Sequence, residues 1–161
     1  DGSGLKRVFD NASQPDIRAD GKVIVFRNRH ADNRSISSID LFGGDFVRYT
    51  NFLEDAHPSW SPDGTAIAFH SRRESDRKPR IYTVSANKRN DVALSRNSNA
   101  VYGEYPDWLP DGRIVYRSET AQIELGVMNN DGGGYHALLG DGSASTPKAS
   151  PDGRFIAFMS Q

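Results

Sequence analysis

Apolar and polar positions alternate along most of the chain in short runs broken by clusters of glycine, proline, asparagine and aspartate. The stretch "WSPDGTAIAF" (60–69) shows the pattern most clearly: a tryptophan, a Ser-Pro-Asp-Gly turn, then Ile67 and Phe69 with Ala68 between them. A period of two places Ile67 and Phe69 on one face of a strand. Ala68 makes the opposite face apolar too, which is the pattern of a strand buried on both sides. Asp-Gly is a strong hairpin signal, because glycine accepts a positive φ and the aspartate carboxylate can bond its own turn backbone. The preceding proline fixes φ and ends the first strand. No long segment has the 3.6-residue helical period, so almost no helix is expected.

The same pattern returns along the chain. "HPSWSPDGTAIAFHS" (57–71) recurs as "YPDWLPDGRIVYRS" (105–118), as "TPKASPDGRFIAFMS" (146–160) and more faintly as "QPDIRADGKVIVFRN" (14–28). The repeat is carried by Pro58, Trp60, Asp63 and Gly64, by Pro106, Trp108, Asp111 and Gly112, and by Pro147, Asp152 and Gly153. In the first copy, Ile17 and Arg18-Ala19 replace Trp-Ser-Pro. The prolines and the glycines are both spaced 43, 48 and 41 residues apart, so each motif recurs as one unit. Downstream of three of the copies lie two further strand candidates, 35–41 and 45–49, 80–84 and 91–95, 123–128 and 135–139. Four short strands per repeat of about 44 residues is the size of a propeller blade. The expected fold is an all-β propeller of four-stranded antiparallel blades, with Trp60, Trp108 and the Ile-x-Phe pairs filling the gaps between blades.

The units fall at about 14–51, 57–95, 105–140, and 146–161 combined with 1–11. Residues 1–11 read as a turn and outermost strand, and 146–160 as two inner strands, so the ends are expected to share one composite blade lacking its third strand. That makes fifteen strands and about four blades, the low end of the known range of about four to eight per ring. Either the chain closes a four-bladed ring alone, or it is an arc completed by a second copy or by further sequence. The second expectation is preferred, because an isolated arc leaves apolar faces and strand edges open.

Composition narrows the function classes. With 20 Lys+Arg against 21 Asp+Glu, the formal net charge of -1 gives no general electrostatic pull toward nucleic acid or an anionic membrane. No apolar run reaches the roughly 18 residues of a membrane-spanning helix. There is no cysteine, hence no disulfide framework, thiolate metal site or thiol nucleophile. The chain opens with Asp1 and shows no signal-like segment, which predicts a processed or excised piece of something longer.

The recurring P-x-W-S-P-D-G-x-x-I-A-F-x-S of residues 58–71, followed after a polar loop by "IYTV" (81–84), resembles the WD40-like (PD40) repeats of the TolB family of propellers. The resemblance spans essentially the whole chain. It implies a periplasmic or extracellular location and a non-catalytic scaffold that presents loops to a protein partner, with no cofactor. Blades of this kind also occur in sugar-active proteins and as the non-catalytic half of prolyl oligopeptidase-like peptidases, so a carbohydrate-binding or gating propeller is the alternative.

Candidate chemistry lies in the loops that lead into each innermost strand (9–14, 51–57, 95–105, 140–146) and in the neighbouring loops 27–35, 70–79 and 117–122. Arg27, Arg29, Arg72, Arg73 and Arg117 are expected to converge on one rim, where guanidinium forks suit a carboxylate or phosphate. The same loops also read as wet surface in which Arg72 and Arg73 pair with Glu74 and Asp76. His57 and Tyr105 precede equivalent prolines, beside Glu54, Asp55 and Glu104, and His57 and His70 can approach within one blade. Together they suit a polar ligand in the mouth, or they complete the inner-strand ends. The four histidines lack metal-ligand spacing. "MNNDGGGY" (128–135) lacks the closing glutamate of a calcium loop. No Gly-x-Ser-x-Gly elbow occurs, and no catalytic residue is assigned.

Overall fold

The computed structural model describes residues 3–87, 94–96, 102–119, 122–140 and 142–160. Parts of the expected strand 91–95 and of the loops 95–105, 117–122 and 140–146 lie outside them. Every regular element among the described residues is a strand. The first blade is β1 (Ala12–Ile17), β2 (Val23–Asn28), β3 (Ser35–Asp40) and β4 (Val47–Arg48). The second is β5 (Ala56–Trp60), β6 (Ala66–Ser71), β7 (Arg80–Ser85) and β8 (Leu94–Arg96). The third is β9 (Gly103–Trp108), β10 (Ile114–Ser118), β11 (Glu124–Met128) and β12 (His136–Leu139). The fourth holds two strands, β13 (Ser145–Ala149) and β14 (Ile156–Met159). Each is an antiparallel meander in chain order, as hairpin turns between consecutive strands require.

The repeated turn folds the same way each time. In the second blade Asp63 accepts from the Ser61 hydroxyl at 2.6 Å and the Thr65 backbone N–H at 3.0 Å, while Gly64 takes φ 69°. A side chain at Gly64 would also meet Arg18 at 2.9 Å. Asp152 repeats this arrangement with Ser150 and Arg154. The carboxylates of Asp63 and Asp152 are held below their ordinary range by these bonds, hydroxyl first.

Blades stack face to face through the residues flagged by the two-residue period. Val25, Ile36 and Tyr49 of the first blade pack on Trp60, Ile67, Phe69 and Tyr82 of the second. Ala68 and Ile81 of the second pack on Trp108, Ile114, Tyr116 and Met128 of the third. Leu109, Val115 and Val127 pack on Ala149 and Ile156 of the fourth. Trp60 and Trp108 are 5% and 8% exposed, and the Trp108 indole N–H donates to the Ser59 carbonyl at 3.1 Å.

The ends differ from the composite blade that the sequence suggests. Residues 3–11 hold no strand and do not pair with β14. Instead they lie on the first blade: Phe9 packs on Phe26 at 4.8 Å and stacks on Phe46 at 5.6 Å, and the Asn11 carbonyl accepts from the Arg29 backbone at 2.8 Å. The physical reason is the missing third strand. An outermost strand cannot hydrogen-bond to β14 across the width of an absent neighbour, whereas Phe26 offers an apolar face that a preceding blade would otherwise cover. The described residues therefore form an open arc with fourteen strands. Neighbouring innermost strands pack around an axis, and Lys148 of the fourth unit reaches Asp16 of the first at 3.6 Å, but among the described residues no sheet face of the fourth unit packs on the first.

Candidate functional site

The four innermost strands deliver the same feature to one end of the axis. Gln14, His57, Tyr105 and Thr146 each stand immediately before a repeat proline, and all four adopt left-handed φ, at 56°, 51°, 56° and 46°. A residue before proline is ordinarily extended. A non-glycine residue in this region costs on the order of 1–3 kcal/mol and persists only where its surroundings hold it. The pairing register of the innermost strand slips in every blade at this point, so each is a bulge that turns one side chain toward the mouth. With Pro15, Pro58, Pro106, Pro147 and Lys148, these residues line a hollow of about 260 Å³.

Hydrogen bonds set the protonation states inside it. The His57 backbone N–H donates to Gln14 Oε1 at 2.9 Å, and Gln14 Nε2 lies 2.7 Å from His57 Nε2. Since Oε1 is an acceptor, Gln14 Nε2 is the donor and His57 Nε2 carries the lone pair. Likewise the Tyr105 backbone N–H donates to His70 Nδ1 at 3.1 Å. Both imidazoles are neutral acceptors here. They stack at 5.1 Å between centroids, with Tyr105 edge-on to each. Burial, then the charges of Arg27 and Lys148, lowers the His57 pKa to about 4. Burial, then His57, Arg72 and Arg27, lowers that of His70 to about 3.

Below the prolines runs a second ring that sequence reasoning missed: Asp16, Ser59, Asp107 and Lys148, one residue after each repeat proline. Asp16 accepts the Trp60 backbone N–H at 2.7 Å, and Asp107 accepts that of Ala149 at 2.8 Å, so a carboxylate of one blade captures the innermost strand of another. Ser59 and Lys148 donate to the other Asp107 oxygen at 2.9 and 2.6 Å. Burial alone would depress the Lys148 ammonium, but Asp107 and Asp16 outweigh it and hold the pKa above the ordinary lysine value. Aligning the four copies on their prolines is the signal that exposes both rings.

The structure divides the arginines named from sequence. Arg73 forms a bidentate pair with Asp55, whose side chain is fully buried, and lies over Phe52, Phe69 and Tyr82 at 5.4 Å each. Arg72 and Arg117 converge on Glu104 at 2.5 and 3.2 Å, and Arg117 also meets Glu119 at 3.2 Å. The expected partners of Arg72 and Arg73 are thus replaced, and Asp76 pairs with Arg80 at 2.8 Å. Sequence proximity suggested Glu74 and Asp76; the rim contacts instead cross between loops and blades that only the fold brings together. Burial raises the Glu104 pKa, with its two arginines acting in opposition. Arg27 stands beside the His57 hollow and donates to the Leu53 carbonyl at 3.4 Å, and Arg29 is exposed beyond it.

No family model matches the chain. The Tol-Pal system protein TolB of Francisella tularensis subsp. mediasiatica is 27% identical over 97% of this chain and 47% of its own length. The protein TolB homolog of Chlorobium chlorochromatii is 34% identical over 87% of this chain and 31% of its own. The crystal structure of TolB from Acinetobacter baumannii superposes with a TM-score of 0.84 at 23% identity, over 100% of this chain and 41% of that one. The chain therefore spans about half the length of the first relative and a third of the second. The fold is that of a TolB-like β-propeller.

Proposed function

We propose that this TolB-like β-propeller segment is a non-catalytic binding module that engages a protein partner at the mouth lined by Gln14, His57, Tyr105 and Thr146. The observation that carries the reading is the fourfold recurrence of a left-handed, non-glycine residue at that mouth. Strain repeated in every blade and aimed at one hollow is a built surface, since each instance opposes folding. Its lining of prolines and aromatic edges suits an apolar or amide-bearing side chain, and Thr146 Oγ1 is buried without a protein partner among the described residues. The lone pairs that a general base would use are taken, on His57 by the Gln14 amide and on His70 by the Tyr105 backbone. This supports recognition over proton transfer.

One relative is named as a component of a Tol-Pal system, and a periplasmic setting with a partner from such a system is part of the same proposal. Isothermal titration of this chain with a Pal protein tests it. Saturable binding is expected, indifferent to chelators and lost in Tyr105→Ala. Heat of binding unchanged by Tyr105→Ala, or no binding by Pal, overturns it.

A further inference from the structure

Arginines on the mouth side of the arc fall into two groups. In the second and third blades Arg72, Arg73, Arg77 and Arg117 each meet a carboxylate of Glu104, Asp55 or Glu54. In the first blade Arg27, Arg29, Arg34 and Arg48 have no ion pair within 4.0 Å among the described residues. Arg48 bonds only neutral oxygens, the Thr50 carbonyl at 2.9 Å and Asn33 Oδ1 at 3.4 Å. Arg27 reaches only the Leu53 carbonyl. In a chain with more acidic than basic residues, a cluster of four unpaired guanidiniums is segregated charge and not a general bias.

The cluster is ordered by its own loop. Asn28 Oδ1 accepts the His30 N–H at 3.0 Å, the Asn33 N–H closes a turn on the His30 carbonyl at 3.0 Å, and the Ser35 hydroxyl holds the Asn33 carbonyl at 2.9 Å. Arg29 and Arg34 are therefore presented from a fixed turn. Arg34 and Arg48 share a hollow of about 290 Å³ with Asn51, Ala31 and Leu53, and Asp32 is the one carboxylate lining it. Leu53 is 49% exposed there, and its carbonyl links the hollow to Arg27 at the rim. Burial, then the nearby Arg29 and Arg34, lowers the Arg27 pKa, against the opposing pull of Asp55 and Glu54. An incoming anion adds a counter-charge to the guanidiniums of Arg27, Arg29 and Arg34.

We infer that the first-blade cluster of Arg27, Arg29, Arg34 and Arg48 is a docking site for an acidic peptide segment of a protein partner, with carboxylates on the guanidiniums and an apolar side chain against Leu53 and Ala31. Arginine forks match carboxylates in paired hydrogen bonds. The half-exposed Leu53 in the hollow adds an apolar contact that a peptide side chain fills and a bare polyanion does not. The inference rests on the protein-binding reading above and adds the chemistry of the partner.

Fluorescence anisotropy of a labelled Leu-Glu-Glu-Leu-Glu-Glu peptide tests it on the full chain. Binding is expected to weaken steadily with salt and to fall about tenfold or more in Arg29→Ala and in Arg34→Ala, the size of a lost charge-assisted hydrogen bond. Tyr105→Ala, which removes the mouth contact, is expected to leave peptide binding within about twofold, a change too small to reflect a lost hydrogen bond. Equal affinity for the Gln-substituted peptide, insensitivity to both arginine changes, or binding of a sulfated oligosaccharide with none of the peptide overturns the inference. If the peptide fails while Pal still binds in a Tyr105-dependent way, the mouth proposal stands and only this site falls.

Discussion

Single residues carry opposite burdens in the mouth and in the rim. His57 and His70 are placed where they can only accept a hydrogen bond, so a proton on either removes a bond and adds a buried charge. Their pKa values of about 4 and about 3 lie below the ordinary histidine value. The unfolded chain therefore takes up these protons first, near pH 6.5. Stability is full above that pH and declines as pH falls toward 4, by up to about 1.4 kcal/mol per unit for each histidine. Below both folded values these two groups cost nothing further. Urea unfolding between pH 7 and 4 checks this. The double variant His57→Gln, His70→Gln is expected to show a flatter profile over that window, and equal slopes would refute the assignment of neutral acceptors. Arg73 plays the reverse part: its guanidinium pairs with the buried carboxylate of Asp55, so it belongs to the frame.

At the scale of the element, the innermost strand departs from an ordinary edge. Four bulges at equivalent positions place β-carbons in left-handed backbone, and Thr146 is the β-branched case. Its neighbour Ser145 lies in extended strand geometry at the start of β13. Glycine in a strand ordinarily costs about 0.5–1 kcal/mol through unfolded-chain entropy, while relief of left-handed strain returns about 1–2 kcal/mol. Thermal melts are thus expected to show Ser145→Gly less stable than the parent and Thr146→Gly equal or more stable. Loss of stability in Thr146→Gly matching that in Ser145→Gly would mean that the bulge carries no strain. The inter-blade bonds to Asp16 and Asp107 are the compensating contacts, since they hold consecutive innermost strands at fixed spacing beneath the bulges.

At the scale of the whole molecule, the arc has an open end. Among the described residues β14 has no partner on its outer side, and Phe155, Phe158 and Met159 are 65%, 42% and 58% exposed around it. The other end is different: the Phe26 face is covered by Phe9 and is 2% exposed. An unpaired apolar edge recruits another strand. Sedimentation velocity on this chain is expected to show association that grows with concentration and diminishes in Phe158→Lys, which puts a charge on that edge. A monomer at all concentrations would show that the edge is protected.

Much of the fold was legible before any coordinates, because the information is local and periodic. Asp-Gly turns, the proline spacing and the Ile-x-Phe pairs specify hairpins and doubly buried strands through backbone geometry alone, and Trp60 and Trp108 lie between blades as their repeat positions imply. The site was legible in part. His57, His70 and Tyr105 do meet in one cluster, and Arg27 stands at its edge. Arg72 and Arg73 pair with carboxylates 32 and 18 residues away, and Arg117 adds to its near neighbour Glu119 a partner 13 residues away; no local pattern announces a partner at that range. The sequence by itself determined the blade, because a hairpin needs only its own residues. Tertiary structure alone decided where the N-terminal stretch packs, which arginines are spent and which are free, and that four prolines surround one hollow. Those depend on how separate blades are oriented about a common axis, and that orientation is set by side-chain packing between sheets distant in sequence.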